Sequence, residues 1–424
     1  MEMPRPAKAA RRCARVRMYN VGFGDCFLLM LPTDDGEKRV LIDCGSLKAG
    51  EVALPKIVKQ VIADLSPRDK APALDLLIAT HRHRDHISGF SDAGWQRVSV
   101  GEVWMPWTEN PADAEARTLT NAQTTYIRAV DKAIGARPAL LASSPILKDM
   151  LLNAQPNSAA LATLHSGFKN RPKRRYLPGA KGIDVITDVL PGVTIHVLGP
   201  SRDKAVRRWM EPTNESDAYL AALEGETAGD KGDEVTFEFG INWAIRDDYI
   251  DKIKAGTFPK SLRLNRRDVL QLRHHAEQRD WELLAAKADQ ALNNTSLILM
   301  FEVGSAYLLF PGDAQWGPWQ RLLNDPDTRE LLSRTTFYKV SHHGSSNATP
   351  KRLVEAIKAV RKAPKRISMV SVAPYKWAEI PRRPLLDALK KISADVIRSD
   401  KPSTQAKIAD KKDGYWVEVE IPVG

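Results

Sequence analysis

The sequence predicts an α/β protein, and three observations carry that prediction. Between Arg39 and Ala79 the pattern runs strand, helix, strand. Short apolar runs end at three separate places in residues of metal-ligand type: His81 to His86, Asp313, and His342-His343. Sheets built on this rhythm carry their sites beyond the C-terminal ends of their strands, which is where these residues fall.

Taken in order, Met1 to Arg17 is basic and lacks a following apolar stretch, so a secretory signal is not expected. Residues 1–15 read as a basic arm. Val16 to Met30 holds two strand-like pieces around Gly22-Phe23-Gly24-Asp25. The GxGxxG spacing of a phosphate loop is absent, so strand, turn and strand is expected, with Asp25 pointing at the site. Asp34-Asp35-Gly36 reads as a hairpin turn. Arg39 to Gly45 reads as a buried strand ending in Asp43, either a residue that orients a ligand histidine or an ordinary turn aspartate. Leu54, Ile57, Val58, Val61, Ile62 and Leu65 have helical spacing, stopped by Ser66-Pro67.

The stretch Asp75 to Phe90 then reads D-L-L-I-A-T-H-R-H-R-D-H-I-S-G-F. The chain has nine histidines, and three of them lie between His81 and His86. Imidazole nitrogen and carboxylate oxygen suit zinc, manganese, iron and similar ions. On an extended segment His81 and His83 share a face, and Asp85 and His86 turn back from the start of a helix.

Composition sets the bounds. At 424 residues, 43% hydrophobic and 27% charged, the chain is that of a soluble globular protein. No run approaches the ~18 apolar residues of a membrane helix. Cys13, Cys26 and Cys44 form no C-x-x-C, which fits a reducing cytoplasm. The net charge of +11 and pI near 9.4 favour an anionic partner such as nucleic acid. Met150 to Ile183 contains no Asp or Glu but carries Lys169, Arg171, Lys173, Arg174 and Arg175. That stretch reads either as a phosphate-contacting patch, with Phe168 and Tyr176 to stack, or as a solvated basic loop. Trp104 and Trp107 read as core aromatics. His196 reads as a core or surface histidine, and the pair His274-His275 as part of a solvated helical face.

From Asn293 strand patterning resumes, with two apolar runs around Gly304-Ser305. The second ends at Asp313, a carboxylate able to bridge two cations ~3.5–4 Å apart. Phe337 to Val340 runs into Ser341-His342-His343-Gly344-Ser345.

These motifs together resemble the metallo-β-lactamase superfamily. His81 to His86 is similar to its H-x-H-x-D-H signature. N-V-G-F-G-D-C at 20–26, L-I-D-C-G at 41–45, N-T-S-L-I-L at 294–299, P-G-D at 311–313, S-H-H-G-S at 341–345 and the tail 374–389 resemble the soluble hydrolase domain of ComEC-type DNA-uptake proteins. The resemblance covers roughly 14–107, 184–200 and 293–424. It implies a four-layer αββα sandwich over 16–424, with helical insertions at about 108–183 and 201–292. It also implies two divalent cations, zinc or manganese. His81 and His83 would hold one, Asp85 and His86 the other, Asp313 would bridge, and His342 would complete the second. Asp25, Asp43, Asn294 and Ser345 would support them. The family's third histidine has no match, since neither His165 nor His196 fits. The first position would then be weakly held, or filled by Asn294 or water. Phe23 stands where the family has Gln, and the membrane channel is absent.

The function implied is a metal-dependent phosphodiesterase or nuclease acting on DNA or RNA through an activated water. Asp85 would orient or deprotonate that water; His342, His343 or Ser345 would contact phosphate or protonate the leaving oxygen. The alternatives are hydrolysis of a small ester, lactone or phosphoester, and a metal-stabilised, non-catalytic module whose helical insertions bind a partner protein.

Overall fold

A computed structural model describes residues 12–66, 70–136, 144–180, 182–208, 289–345, 347–359, 366–372, 380–401 and 414–424, with 138, 142, 407 and 408 besides. His274, His275 and most of the second insertion lie outside the described residues.

The architecture is α/β, with two mixed sheets. The first contains β1 (Cys13–Tyr19), β2 (Phe27–Thr33), β3 (Gly36–Ile42), β4 (Ala73–Ile78), β5 (Ser99–Pro106) and β6 (Lys173–Leu177), joined at its other end by β15 (Trp416–Pro422) and β14 (Lys407–Ile408). Its order is β14-β15-β1-β2-β3-β4-β5-β6. The second contains β7 (Asp184–Ile186), β8 (Val193–Gly199), β9 (Ile298–Val303), β10 (Ala306–Phe310), β11 (Phe337–Lys339), β12 (Ile367–Val370) and β13 (Asp395–Arg398), in the order β13-β12-β11-β10-β9-β8-β7. β1 starts inside the stretch read as a basic arm. The first insertion holds helices at Ala114–Gly135, Pro145–Ala154 and Ser158–Ser166, but its basic segment runs into an edge strand, β6.

Alternation along the strands builds the layers. Phe27, Leu29, Leu31, Val40, Ile42, Leu76 and Ile78 share one core with Ile195, Val197, Leu299, Phe301, Leu308 and Phe310 of the second sheet. The intervening Leu28, Met30, Leu41 and Leu77 face the helix Leu54–Asp64 through Ile57, Val58, Val61 and Ile62. On the far side, Met300, Leu309, Tyr338 and Val370 meet Leu322, Leu353, Leu385 and Leu389 of the helices Trp316–Asn324, Lys351–Ala359 and Arg383–Ile392. The packing therefore runs helix, sheet, sheet, helix. Each large apolar side chain so buried contributes about 1.5–3 kcal/mol. An exposed ion pair gives only ~0.2–1 kcal/mol, so sheet packing is what fixes the strand ends in space. Trp104 and Trp107 are fully buried, as core aromatics.

β3, β4 and β5 are mutually parallel, as are β10, β11 and β12. Leu297, just before β9, donates its N–H to the Thr80 carbonyl, just after β4, at 2.9 Å. That bond joins the two sheets at the edge where the site lies. Among the described residues, no helix is long and apolar enough to cross a membrane.

Candidate metal centre

The site begins where β3 and β4 end. Asp43, one residue past β3, takes a left-handed backbone (φ 58°), which aspartate tolerates better than most residues. Its Oδ1 accepts from Thr80 N at 2.7 Å, and its Oδ2 accepts from Thr80 Oγ at 2.7 Å and from His86 Nδ1 at 2.8 Å. His86 Nδ1 thus carries the proton, and Nε2 is turned into the site. The short helix Arg84–Ile87 folds Asp85 and His86 back over the strand ends. Gly45 lies against this turn so closely that a Cβ there would meet the His86 backbone at 2.5 Å. The β3 end and the histidine turn are in effect one packed unit.

β10 and β11 deliver the other wall. Asp313 Oδ2 lies 3.0 Å from His86 Nε2, and His343 Nε2 lies 3.1 Å from Asp85 Oδ2. His343 Nδ1 donates to the Ser371 carbonyl at 2.9 Å, past the end of β12, which leaves Nε2 as the inward atom. Asp85, His86, Asp313 and His343 each offer a ligand atom, all within 4.8 Å of one another and all buried. Four atoms at ~2.1 Å from a common cation would stand ~3.4 Å apart, so this spread fits a divalent ion. A buried Asp85 Oδ1 without a hydrogen bond belongs to the same group. These residues form a buried His/Asp cluster able to hold a metal ion.

His81 and His83 sit beside it. His81 Nε2 and His83 Nδ1 are 2.9 Å apart, and the His81 and His86 ring centroids are separated by 4.1 Å. Thr80 Oγ donates to Asp43, so at 3.1 Å it accepts from His81 Nδ1–H, leaving His81 Nε2 with its lone pair. His83 Nε2 is buried without a hydrogen bond and faces Asp289 Oδ1 at 3.4 Å.

A second grouping, Asp25, Asp43 and His86, has the right residue types but other work. The Asp43–His86 contact is a hydrogen bond, and Asp25 is ion-paired with the buried Lys339. Lys339 Nζ also reaches Asp313 Oδ1 at 3.2 Å and the Gly312 carbonyl at 3.1 Å. Asp25 does lie under the cluster, 3.8 Å from His86 Nδ1 and 4.0 Å from His343 Nδ1. Asp313 Oδ1 further accepts from His342 N at 3.1 Å, so any bridging role rests on Oδ2 alone.

Four sequence readings are corrected. His343, not His342, completes the ligand cluster. Both adopt left-handed backbone (φ 52° and 46°), and this tight turn sends only the second ring inward. His342 instead lies 2.9 Å from Ser345 Oγ and 3.4 Å from Asn293 Nδ2. Asn294 is committed elsewhere, its Nδ2 to the Arg207 carbonyl and its Oδ1 to Gln315 N, so it fills no metal position. Ser345 supports His342 and donates to Asn347 Oδ1 at 3.0 Å. In the basic segment, Arg175 is bound to Glu102 at 2.7 Å and Asp188 at 2.8 Å, while Arg174 spends its guanidinium on the Leu164 and Pro172 carbonyls. Lys173 lies 3.6 Å from Glu102. Lys169 and Arg171 are exposed.

Sequence reasoning missed Lys339, Asp289, Asn153, Asn293 and Thr80. Phe23 packs on the His343 ring with centroids 4.3 Å apart. His165 pairs with Tyr176 at 3.1 Å and His196 with Glu302 at 3.1 Å; neither is in the cluster.

Burial lowers the His81 pKa well below the usual range and the His83 pKa to about 4, so both are neutral at pH 7. Burial also opposes charge on His86, but Asp313, Asp85 and Asp43 outweigh it and raise its pKa well above 6.5. His86 therefore holds a proton at neutral pH that a cation must displace. Cation binding is expected to release about one proton from this ring and to tighten as pH rises. Calorimetry in buffers of different ionisation enthalpy checks this, and a binding heat independent of buffer would contradict it.

No protein-family model matches the chain, and no curated protein matches it.

Proposed function

We propose that this protein is a metal-dependent hydrolase of the metallo-β-lactamase fold, acting on phosphodiester bonds in nucleic acid. The observation that carries the reading is the buried group of Asp85, His86, Asp313 and His343 at the shared edge of two sheets. Clusters of perturbed titratable groups at such a place are costly unless they work. His81 and His83 would hold a second cation beside the first; zinc and manganese both suit the ligand set. When bound, divalent cations supply Lewis acidity that acidifies water and neutralises charge on a phosphoryl group.

The chain's own residues divide the remaining work. Asp85 offers Oδ1 as an acceptor to orient water. Burial opposes its ionisation, but His86 and His343 hold its carboxyl well below the usual range, so it is a poor proton acceptor. His342 is the better base. Ser345 Oγ gives its proton to Asn347 and so accepts from His342 Nδ1–H, which leaves the Nε2 lone pair, faced by the Asn293 amide at 3.4 Å, as the proton acceptor. Burial lowers the His342 pKa, which keeps that nitrogen unprotonated at pH 7. The net charge of +11, with Lys169 and Arg171 exposed, suits a polyanionic substrate. The three free cysteines suit a reducing, cytoplasmic setting.

One observation favours a second reading. Arg174 and Arg175 are held within the fold, which shortens the phosphate-contacting patch and leaves room for a small ester, lactone or phosphoester substrate. Incubating the protein with single- and double-stranded DNA and RNA, with manganese, zinc or magnesium, separates the two. Cation-dependent cleavage of a polynucleotide is expected. Brisk ester hydrolysis without strand cleavage would sink the nuclease reading.

A further inference from the structure

His83 has two uses for its ring, and a residue from the end of the second insertion decides between them. With Nδ1 protonated, His83 simply donates to His81 Nε2 at 2.9 Å, and the pair is closed to a cation. With Nε2 protonated, the His83 Nδ1 lone pair and the His81 Nε2 lone pair converge, and the pair can chelate. Nε2 is buried without a hydrogen bond, and a carboxylate oxygen of Asp289 faces it at 3.4 Å.

Asp289 is itself built into place. Asn153 Nδ2 donates to its Oδ1 at 3.3 Å and Asn293 Nδ2 to its Oδ2 at 3.3 Å. Asn153 Oδ1 in turn accepts from Asp85 N at 3.1 Å, on the histidine turn itself. The residue is 9% exposed, among the buried polar residues. Burying a carboxylate is unfavourable unless hydrogen bonds and a partner compensate it. A carboxylate kept there against that cost, with both amides supporting it, has a partner to serve.

We infer that Asp289 is a positioning residue: it accepts from His83 Nε2–H and thereby turns Nδ1 toward His81 Nε2, making the two histidines a cation-binding pair. This deepens the metal-dependent reading and rests on it. It also accounts for a first metal position that has two histidines and no third, because the missing ligand is offset by a fixed ring.

Equilibrium dialysis of the full chain against manganese or zinc, read as cations bound per chain, tests this. Wild type is expected to bind two. Asp289→Ala is expected to keep the equivalent at Asp85, His86, Asp313 and His343 and to bind the other ~10–100-fold more weakly. Asp289→Asn keeps an oxygen acceptor and is expected to restore the second equivalent to within a few-fold of wild type. Two equivalents bound normally by Asp289→Ala would overturn the inference. So would an Asp289→Asn protein as impaired as Asp289→Ala, which would make Asp289 a ligand. A wild-type chain that binds fewer than two cations fails at an earlier point, the two-cation reading itself.

Discussion

Asp313→Ala is expected to remove cation binding at the four-ligand group and to lower hydrolytic turnover by about a thousandfold. Charge stabilisation by a catalytic cation is worth ~4 kcal/mol, and each ~1.36 kcal/mol is tenfold in rate. Asp313 is the natural point of failure. Its Oδ2 faces His86 at 3.0 Å, and its Oδ1 accepts from His342 N and Lys339. Truncation therefore removes a ligand and frees the backbone of the histidine turn at the end of β11. A variant that retains both metal content and turnover would show that the cluster is structural.

Lys339→Met is expected to cost about 3–5 kcal/mol of stability in chelator-treated protein, because it leaves two buried carboxylates without their cation. The Lys339 ammonium touches Asp25 and lies 3.2 Å from Asp313 Oδ1, with 2% of the residue exposed. Burial opposes its charge, yet Asp25 and Asp313 raise its pKa above the ordinary lysine value, so it stays charged at all working pH. Saturating divalent ion is expected to recover part of the loss by supplying positive charge to the same carboxylates. Urea melts with and without metal measure both effects. A variant as stable as wild type in chelator would contradict the pairing.

Much of this centre was legible in the sequence, for a physical reason. Within each sheet, parallel strands deliver their C-terminal ends to one edge, so Asp43 falls beside His81 to His86 and Asp313 beside His342-His343. The unbroken apolar runs Phe27 to Leu31 and Val40 to Ile42, buried throughout, made those strands plain. Asp43 was legible as a candidate orienting carboxylate because it directly follows a buried strand.

The choice between His342 and His343 was not legible. It depends on two consecutive left-handed residues, and adjacent histidines look alike to any pattern of spacing. Lys339 left a faint trace: a lysine in the apolar run Phe337 to Val340 must be paired if it is buried. Asp289 left none, being one acidic residue at the end of a long charged stretch, with partners Asn153 and His83 that are far away in sequence. Arg175 looked free for the same reason, since Glu102 lies on a neighbouring strand and Asp188 on a later turn; Arg174 turns to the Leu164 and Pro172 carbonyls, which no residue pattern marks.

The most direct test of the central claim is a crystal of the protein grown with manganese, measured for anomalous scattering. The expected result is a peak at bonding distance, about 2.0–2.2 Å, from Nε2 of both His86 and His343 and from oxygens of Asp85 and Asp313. A map from manganese-saturated crystals with no peak among those four side chains would contradict it.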